Sequence, residues 1–206
     1  MNNMWDNTYT KDSAFFGEEP SSFAVKCCDI MKKNCLKTVL EIGCGQGRDC
    51  VFFASKGFEV TALDYSHVAI GGLLEKVKNK NLHIDARVYD VKKPLPFENG
   101  VFDVVYSHMF FSMRFKFDEL KFIFQEIRRV LKNNGLHFFS VRNHHDKFYG
   151  KGMMIDDGIY DINGFQIRFF TTHEIENLSE GFKIFEIRKD YEDPVTLYLV
   201  SSRKQE

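Results

Sequence analysis

Three glycines at alternate positions, Gly43, Gly45 and Gly47, form the run GCGQG directly after the apolar stretch TVLEI. Glycine carries no Cβ, so such a run lets a ligand approach the main chain closely. A helix opening beyond it turns free N–H groups toward that ligand. Acids recur where the next apolar stretches end, Asp64 after VTAL and Asp90 after ARVY. A carboxylate offers only acceptor oxygens, and a lone acid after a strand reads as a cap or turn residue as readily as a ligand contact. Glu41 lies inside the first apolar stretch, where a carboxyl needs partners or neutralisation. A nicotinamide fingerprint would need a glycine where Arg48 stands, so the spacing disfavours a dinucleotide oxidoreductase.

A second group of polar side chains comes later: His108, then Arg142, Asn143, His144, His145, Asp146 and Tyr149, with Arg168 further on. Guanidinium forks suit carboxylates and oxyanions, which suits a small substrate bearing an anionic group. Histidine is the side chain best suited to take a proton near neutrality, and His108 is the candidate base. The competing reading of Arg142 and of the adjacent histidines is a solvated loop. Trp5 and Tyr9 are four residues apart, one helical face, and can serve either as an aromatic lid or as simple packing.

The elements that would position these residues alternate. Thr38 to Ile42 reads as a buried strand, and a helix from about Arg48 to Lys56 buries Val51, Phe52 and Ala54 and stops at Gly57. Phe58 to Leu63 is a second strand. Ser66 caps a helix whose face carries Ile70, Leu73, Leu74 and Val77. A third strand alternates through Ile84, Ala86 and Val88 to Asp90, and a fourth is expected at Val101 to Tyr106. A helix from Asp118 buries Leu120, Ile123, Phe124, Ile127, Val130 and Leu131, ends at Asn133, Asn134 and Gly135, and leads to a strand at Leu136 to Val141. Strand and helix in alternation imply a doubly wound, mostly parallel α/β sheet covered on both faces. The rhythm then changes. Ile159 to Ile162 and Phe165 to Phe170 flank Asn163-Gly164, a hairpin signature, and Thr171 with Glu174 has capping-box spacing. Phe182 to Tyr191 and Val195 to Ser202 read as a terminal antiparallel pair.

With 206 residues, 44% hydrophobic and 28% charged, the chain is expected to be one globular domain. Residues 1–35 would be an N-terminal helical or lid segment and residues 148–170 a hairpin cap. A formal charge of −1 argues against a general nucleic-acid surface, and no apolar run suits a membrane span or signal peptide, so the expected location is the cytoplasm. The cysteines Cys27, Cys28, Cys35, Cys44 and Cys50 contain no CxxC pair and are read as reduced thiols rather than as a zinc site. The first three leave open a soft-metal or metalloid reading beside ordinary packing.

The runs VLEIGCGQGRD, VTALDYS, RVYD and PLPFENGVFDVVYS resemble, in order and spacing, successive motifs of the class I S-adenosylmethionine-dependent methyltransferases. With WDNTY at the start, the chain looks most similar to small-molecule members of the tellurite-resistance and thiopurine types. The resemblance implies a seven-stranded Rossmann-like sheet and S-adenosylmethionine as methyl donor. It implies that Glu41 lies near the positively charged methionine portion, and that Gly43, Cys44, Gly45 and Gly47 present backbone to the donor. Asp64, with Tyr65 beside it, would hold the ribose. Asp90 and the Val91 N–H would hold adenine, and Ser107 and His108 would lie near the methionine portion and the methyl. Trp5, Tyr9, Arg142, Tyr149 and Arg168 are the expected acceptor-side residues. The alternatives are a nicotinamide-dependent oxidoreductase and a non-catalytic donor-binding protein.

Overall fold

The computed structural model describes residues 4–156 and 158–206; residues 1–3 of the N-terminal segment and residue 157 of the expected cap lie outside the described residues. Two compact units emerge, Met1–Lys93 with Val101–Tyr106, and Pro94–Gly100 with Ser107–Glu206.

The first unit contains α1 (Met4–Lys11), α2 (Ser22–Lys33), β1 (Thr38–Ile42), α3 (Arg48–Ser55), β2 (Glu59–Asp64), α4 (His67–Asn79), β3 (Ile84–Val88) and most of β4 (Phe102–Ser107). β1 pairs in parallel with β2 and with β4, and β2 pairs in parallel with β3. Val39, Leu40 and Ile42 are fully buried, as a strand covered on both faces requires. Asp49, in the first turn of α3, pins this unit together. Its carboxylate accepts from the Ser21 N–H at 2.7 Å, the Ser21 hydroxyl at 2.8 Å and the Tyr106 hydroxyl at 2.7 Å. Ser21 in turn caps α2 by accepting from the Ala24 N–H. The start of α2, the first turn of α3 and the end of β4 are therefore joined through one buried carboxylate, which is affordable only because each oxygen is hydrogen-bonded.

The second unit contains α5 (Phe117–Val130), β5 (Leu131–Arg142), β6 (Met153–Asp156), β7 (Ile159–Ile162), β8 (Phe165–Arg168), α6 (Thr172–Leu178), β9 (Phe182–Glu192) and β10 (Val195–Lys204). β10 runs antiparallel to β5 and to β9. The expected hairpin forms, with Asn163 and Gly164 both at positive φ, and β6 adds a third strand beside β7 that the sequence does not announce. The main sheet has seven strands in the order β3-β2-β1-β4-β5-β10-β9, so the fold is the Rossmann-like α/β class with a terminal antiparallel pair.

Local expectations fail where the sequence carries two signals. α5 ends at Val130, and Leu131 is already extended, although Asn133, Asn134 and Gly135 offered a later stop. Pairing into β5 takes over that turn-rich stretch. On α3 the buried apolar side chains are Cys50, Val51 and Phe53, with Phe52 and Ala54 only half-buried, and Leu74 of α4 is exposed at 47%. The buried stripe of a helix is limited in width, so packing decides which of several neighbouring apolar residues lies inside it.

His137 on β5 is fully buried among Phe111, Phe124, Phe139 and Phe182, and neither ring nitrogen has a hydrogen-bond partner. Burial pushes its pKa down to about 3. The unfolded chain takes up this proton first, so stability falls as pH drops below the unfolded value, by about 2 kcal/mol between pH 7 and pH 5. His137→Phe, an apolar ring for a ring, is expected to remove that part of the acid sensitivity in urea titrations at the two pH values. An unchanged pH dependence would show that His137 is not its source.

Candidate active site

In the first unit the glycine run forms a tight loop between β1 and α3. Gly43, Gly45 and Gly47 have φ of 72°, 51° and 85°, the left-handed region that favours glycine. Gly47 is the N-cap of α3, and a Cβ there would run into Leu73. A Cβ on Gly45 would lie 2.9 Å from the Tyr9 hydroxyl.

Asp64, at the end of β2, faces this loop. One carboxylate oxygen accepts from the Gly45 N–H at 2.8 Å and the other from the Ser66 N–H at 2.9 Å. Burial raises its pKa, and those two backbone bonds oppose the rise. A carboxylate has about four acceptor sites, so two backbone bonds leave capacity for a ligand's hydroxyls. Glu41 is buried, with Oε2 unpartnered. Burial first, then the neighbouring Cys50 and Asp49, hold its carboxyl well above the ordinary range. Cys44 is buried in the same loop, and its thiol is pushed up by a hydrogen bond with Cys50 and by burial. Asp90 is exposed and accepts from the Lys92 N–H, while Val91 is buried. Tyr65 is 41% exposed, and burial of the rest, followed by the Asp64 charge, pushes its phenol up to about 12.

Trp5 and Tyr9 do share a face of α1, their rings stacked at 5.3 Å. Tyr9 is buried against the glycine loop, and its phenol is raised by burial and then by Asp64. Asp6 accepts from the Ser66 hydroxyl at 2.5 Å. The Gln46 side chain accepts from the Phe15 N–H and donates to the Asp12 carbonyl, and Arg48 donates to the Phe16 carbonyl. The N-terminal segment is thus fastened along the glycine loop.

The second unit gathers different chemistry. Ser107 is fully buried with its hydroxyl unpartnered. The His108 Nδ1 lies 2.8 Å from the Ser140 hydroxyl and Nε2 lies 3.0 Å from a Glu192 carboxylate oxygen. Ser140 also accepts from the Met109 N–H at 2.8 Å. The Arg142 guanidinium is occupied by Asp146, donating from Nε at 3.0 Å and from a terminal nitrogen at 2.8 Å, between the rings of Phe148 and Phe169. Arg168 is buried, donates to the Phe115 carbonyl at 3.2 Å and lies 3.8 Å from Glu174. Both arginines expected to greet an anionic acceptor are therefore engaged within the unit. Tyr149 is 39% exposed and stacks on His144 at 4.2 Å between ring centroids. Ser140, Asp146 and Glu192 complete this group. Ser140 and Glu192 carry no sequence signal, since only strand pairing brings them to His108.

Residues 39–135 match a family model described as "Methyltransferase domain". Over 105 residues, 50% of this chain, the sequence is 30% identical to a Haemophilus influenzae protein described as "Probable S-adenosyl-L-methionine-dependent methyltransferase TehB". That alignment spans 36% of the relative's own length. Among solved structures, a Methanosarcina mazei protein described as a SAM-dependent methyltransferase aligns with a TM-score of 0.75 at 23% identity, covering 85% of this chain and 97% of that one. Haemophilus influenzae TehB aligns with a TM-score of 0.70 at 20% identity, covering 98% and 67%. A Burkholderia thailandensis 1,6-didemethyltoxoflavin-N1-methyltransferase, solved with 1,6-didemethyltoxoflavin and S-adenosylhomocysteine, aligns with a TM-score of 0.74 at 16% identity, covering 97% and 85%. Identities this low establish likeness of fold. Among the described residues no helix is long and apolar enough to cross a membrane, and no cluster of His, Cys, Asp and Glu suits a metal ion.

Proposed function

From the premise that this chain carries a class I S-adenosylmethionine-dependent methyltransferase domain, we propose that it catalyses methyl transfer from that donor to a small-molecule acceptor. The observation that carries the reading is the glycine loop: a tight backbone cradle at positive φ, with Asp64 fixed to it through the Gly45 N–H and a buried, unpartnered Glu41 oxygen behind it. An unpartnered buried carboxyl is costly to a fold and is accounted for by a cationic ligand group.

When bound, S-adenosylmethionine supplies an electrophilic methyl group on a sulfonium. The chain's part is to hold and align. Asp64, with Tyr65 beside it, takes the ribose hydroxyls, Asp90 and the Val91 N–H take the adenine edge, and Gly43, Cys44, Gly45 and Gly47 offer backbone. Glu41 faces the methionine portion. Trp5 and Tyr9 exclude water from the loop by packing along it. In-line displacement at a sulfonium gains chiefly from such alignment and dehydration. The residues after β4 and β5, His108 and Tyr149 among them, form the acceptor side in this reading, with Arg142 and Arg168 as its supports.

Calorimetry with S-adenosylmethionine, S-adenosylhomocysteine and NAD tests the donor. Both adenosyl ligands should bind, and NAD should bind far more weakly. Asp64→Asn should weaken S-adenosylmethionine by roughly ten- to a hundredfold, the worth of one or two hydrogen bonds to a charged acceptor. Alanine is the poorer probe, because it would also strip the Gly45 and Ser66 N–H groups of their acceptor. Preference for NAD, or full affinity in Asp64→Asn, would reject the assignment.

A further inference from the structure

His108 is enclosed, its side chain 6% exposed, whereas the Glu192 side chain that meets its Nε2 is 29% exposed. On the other side Nδ1 meets Ser140, whose oxygen already accepts from the Met109 N–H. A serine hydroxyl carries one proton and two lone pairs, so with the amide accepted it can still donate to Nδ1 or accept from it, and it holds the ring in both cases. Nε2 stands 3.0 Å from a Glu192 carboxylate oxygen, close enough for the two groups to hold one another although they are not aligned as a hydrogen bond. The group of this trio that meets solvent, and so can meet a substrate, is Glu192.

Glu192 closes β9 and pairs with Val195 at the start of β10. The next residue, Thr196, donates its N–H to Asp146 at 3.0 Å and accepts from the Asn143 N–H at 3.2 Å. These bonds bring the β9–β10 turn to the end of β5, where the chain continues through Asp146 to Tyr149. There the Tyr149 ring is stacked on His144 and braced edge-on by Tyr160 and Phe169, both at 5.6 Å. A braced, partly exposed ring suits stacking with another flat ring.

We propose that Glu192, held by His108, takes the acceptor's proton, and that the acceptor is a planar aromatic compound bearing an un-ionised hydroxyl or ring N–H. This rests on the methyl-transfer reading. As the bond from the acceptor's oxygen or nitrogen to the methyl carbon forms and the methyl–sulfur bond breaks, the acceptor's proton passes to a Glu192 oxygen. The thioether product leaves, and the Glu192 proton is then lost to water. His108 is the positioning residue: its ring stands against the carboxylate at 3.0 Å, and Ser140 fixes the ring.

The test compares two probe acceptors, phenol, which keeps its proton at pH 7, and thiophenol, which is largely ionised there and needs no base. In Glu192→Gln, phenol methylation should fall about a hundredfold or more, the scale of general-base catalysis. Thiophenol methylation and the calorimetric affinity for S-adenosylmethionine should stay within about threefold of wild type on the same ground. Nitrogen-15 spectra of the imidazole supply a readout independent of turnover. The His108 Nε2 resonance should move in Glu192→Gln, while Nδ1, which faces Ser140, should move much less. Equal loss with both probes, retained phenol methylation, or a His108 Nε2 resonance unmoved in the variant would overturn the proposal. So would a wild-type chain that binds the donor and methylates neither probe. A wild-type chain that does not bind the donor would instead reject the methyl-transfer reading beneath it.

Discussion

Replacing Gly45 with valine is expected to weaken S-adenosylmethionine binding on the order of a thousandfold, about 4 kcal/mol, while the chain remains folded. Gly45 holds φ at 51°, where a β-branched residue is strained, and its N–H is the one that Asp64 accepts at 2.8 Å. Relief of the strain would rotate that N–H away, so the cradle and the ribose carboxylate would be lost together. The added side chain would also start 2.9 Å from the Tyr9 hydroxyl. That contact by itself is mild, because a tyrosine hydroxyl is the far end of a side chain and can move. Gly45→Ala separates the effects: it keeps most of the backbone strain with little added bulk, and should fall between wild type and valine. Calorimetry gives the affinities, and thermal melting gives the cost to the fold, about 1–3 kcal/mol for one strained residue. A valine variant that binds the donor normally would show that the ligand does not run along this loop.

The same local character explains what could be read from the sequence. A glycine loop, a strand-end acid, the Ser66 cap and the Thr171–Glu174 capping box are settled by residues within a few positions of one another, and all appear where the sequence places them. Which of Phe52 and Phe53 turns inward, and where α5 yields to β5, depend on neighbours far along the chain. So does the fate of charged groups. Arg142 is expected to meet an anion, yet Asp146, one helical turn away in spacing but held in a loop, takes its Nε and one terminal nitrogen. Glu192 follows His108 by most of the second unit and reaches it only because β9, β10 and β5 align in one antiparallel register. Periodicity reports the faces of an element. It says nothing of partners delivered by pairing between distant strands.

Glu41 combines both kinds of information and gives the second large expected effect. Its place before the glycines is legible in the sequence, but only the fold shows a carboxyl buried with one oxygen unpartnered. Burial and the nearby Cys50 and Asp49 raise its pKa well above the ordinary value. In the ligand-free chain the carboxyl is therefore neutral over a window where an unfolded chain would already have released the proton. Across that window, which opens above the unfolded carboxyl value and closes at the raised one, ligand-free stability falls by about 1.4 kcal/mol per pH unit as pH rises. A cationic donor reverses the balance by favouring the ionised form. Donor binding then expels a proton, and affinity should climb by about tenfold per pH unit until the raised value is passed. Glu41→Gln keeps the shape and removes the titration. Its ligand-free form should melt higher than wild type at pH 7, while its affinity for S-adenosylmethionine should be weaker and flat with pH between 5 and 7. S-adenosylhomocysteine lacks the sulfonium charge, so wild type should lose less of its pH dependence to the substitution with that ligand. The decisive comparison is calorimetry of both ligands at several pH values in buffers of different ionisation enthalpy. Proton release by wild type and none by the variant is the expected result; identical proton uptake or release in the two proteins would mean that Glu41 does not ionise when the donor arrives.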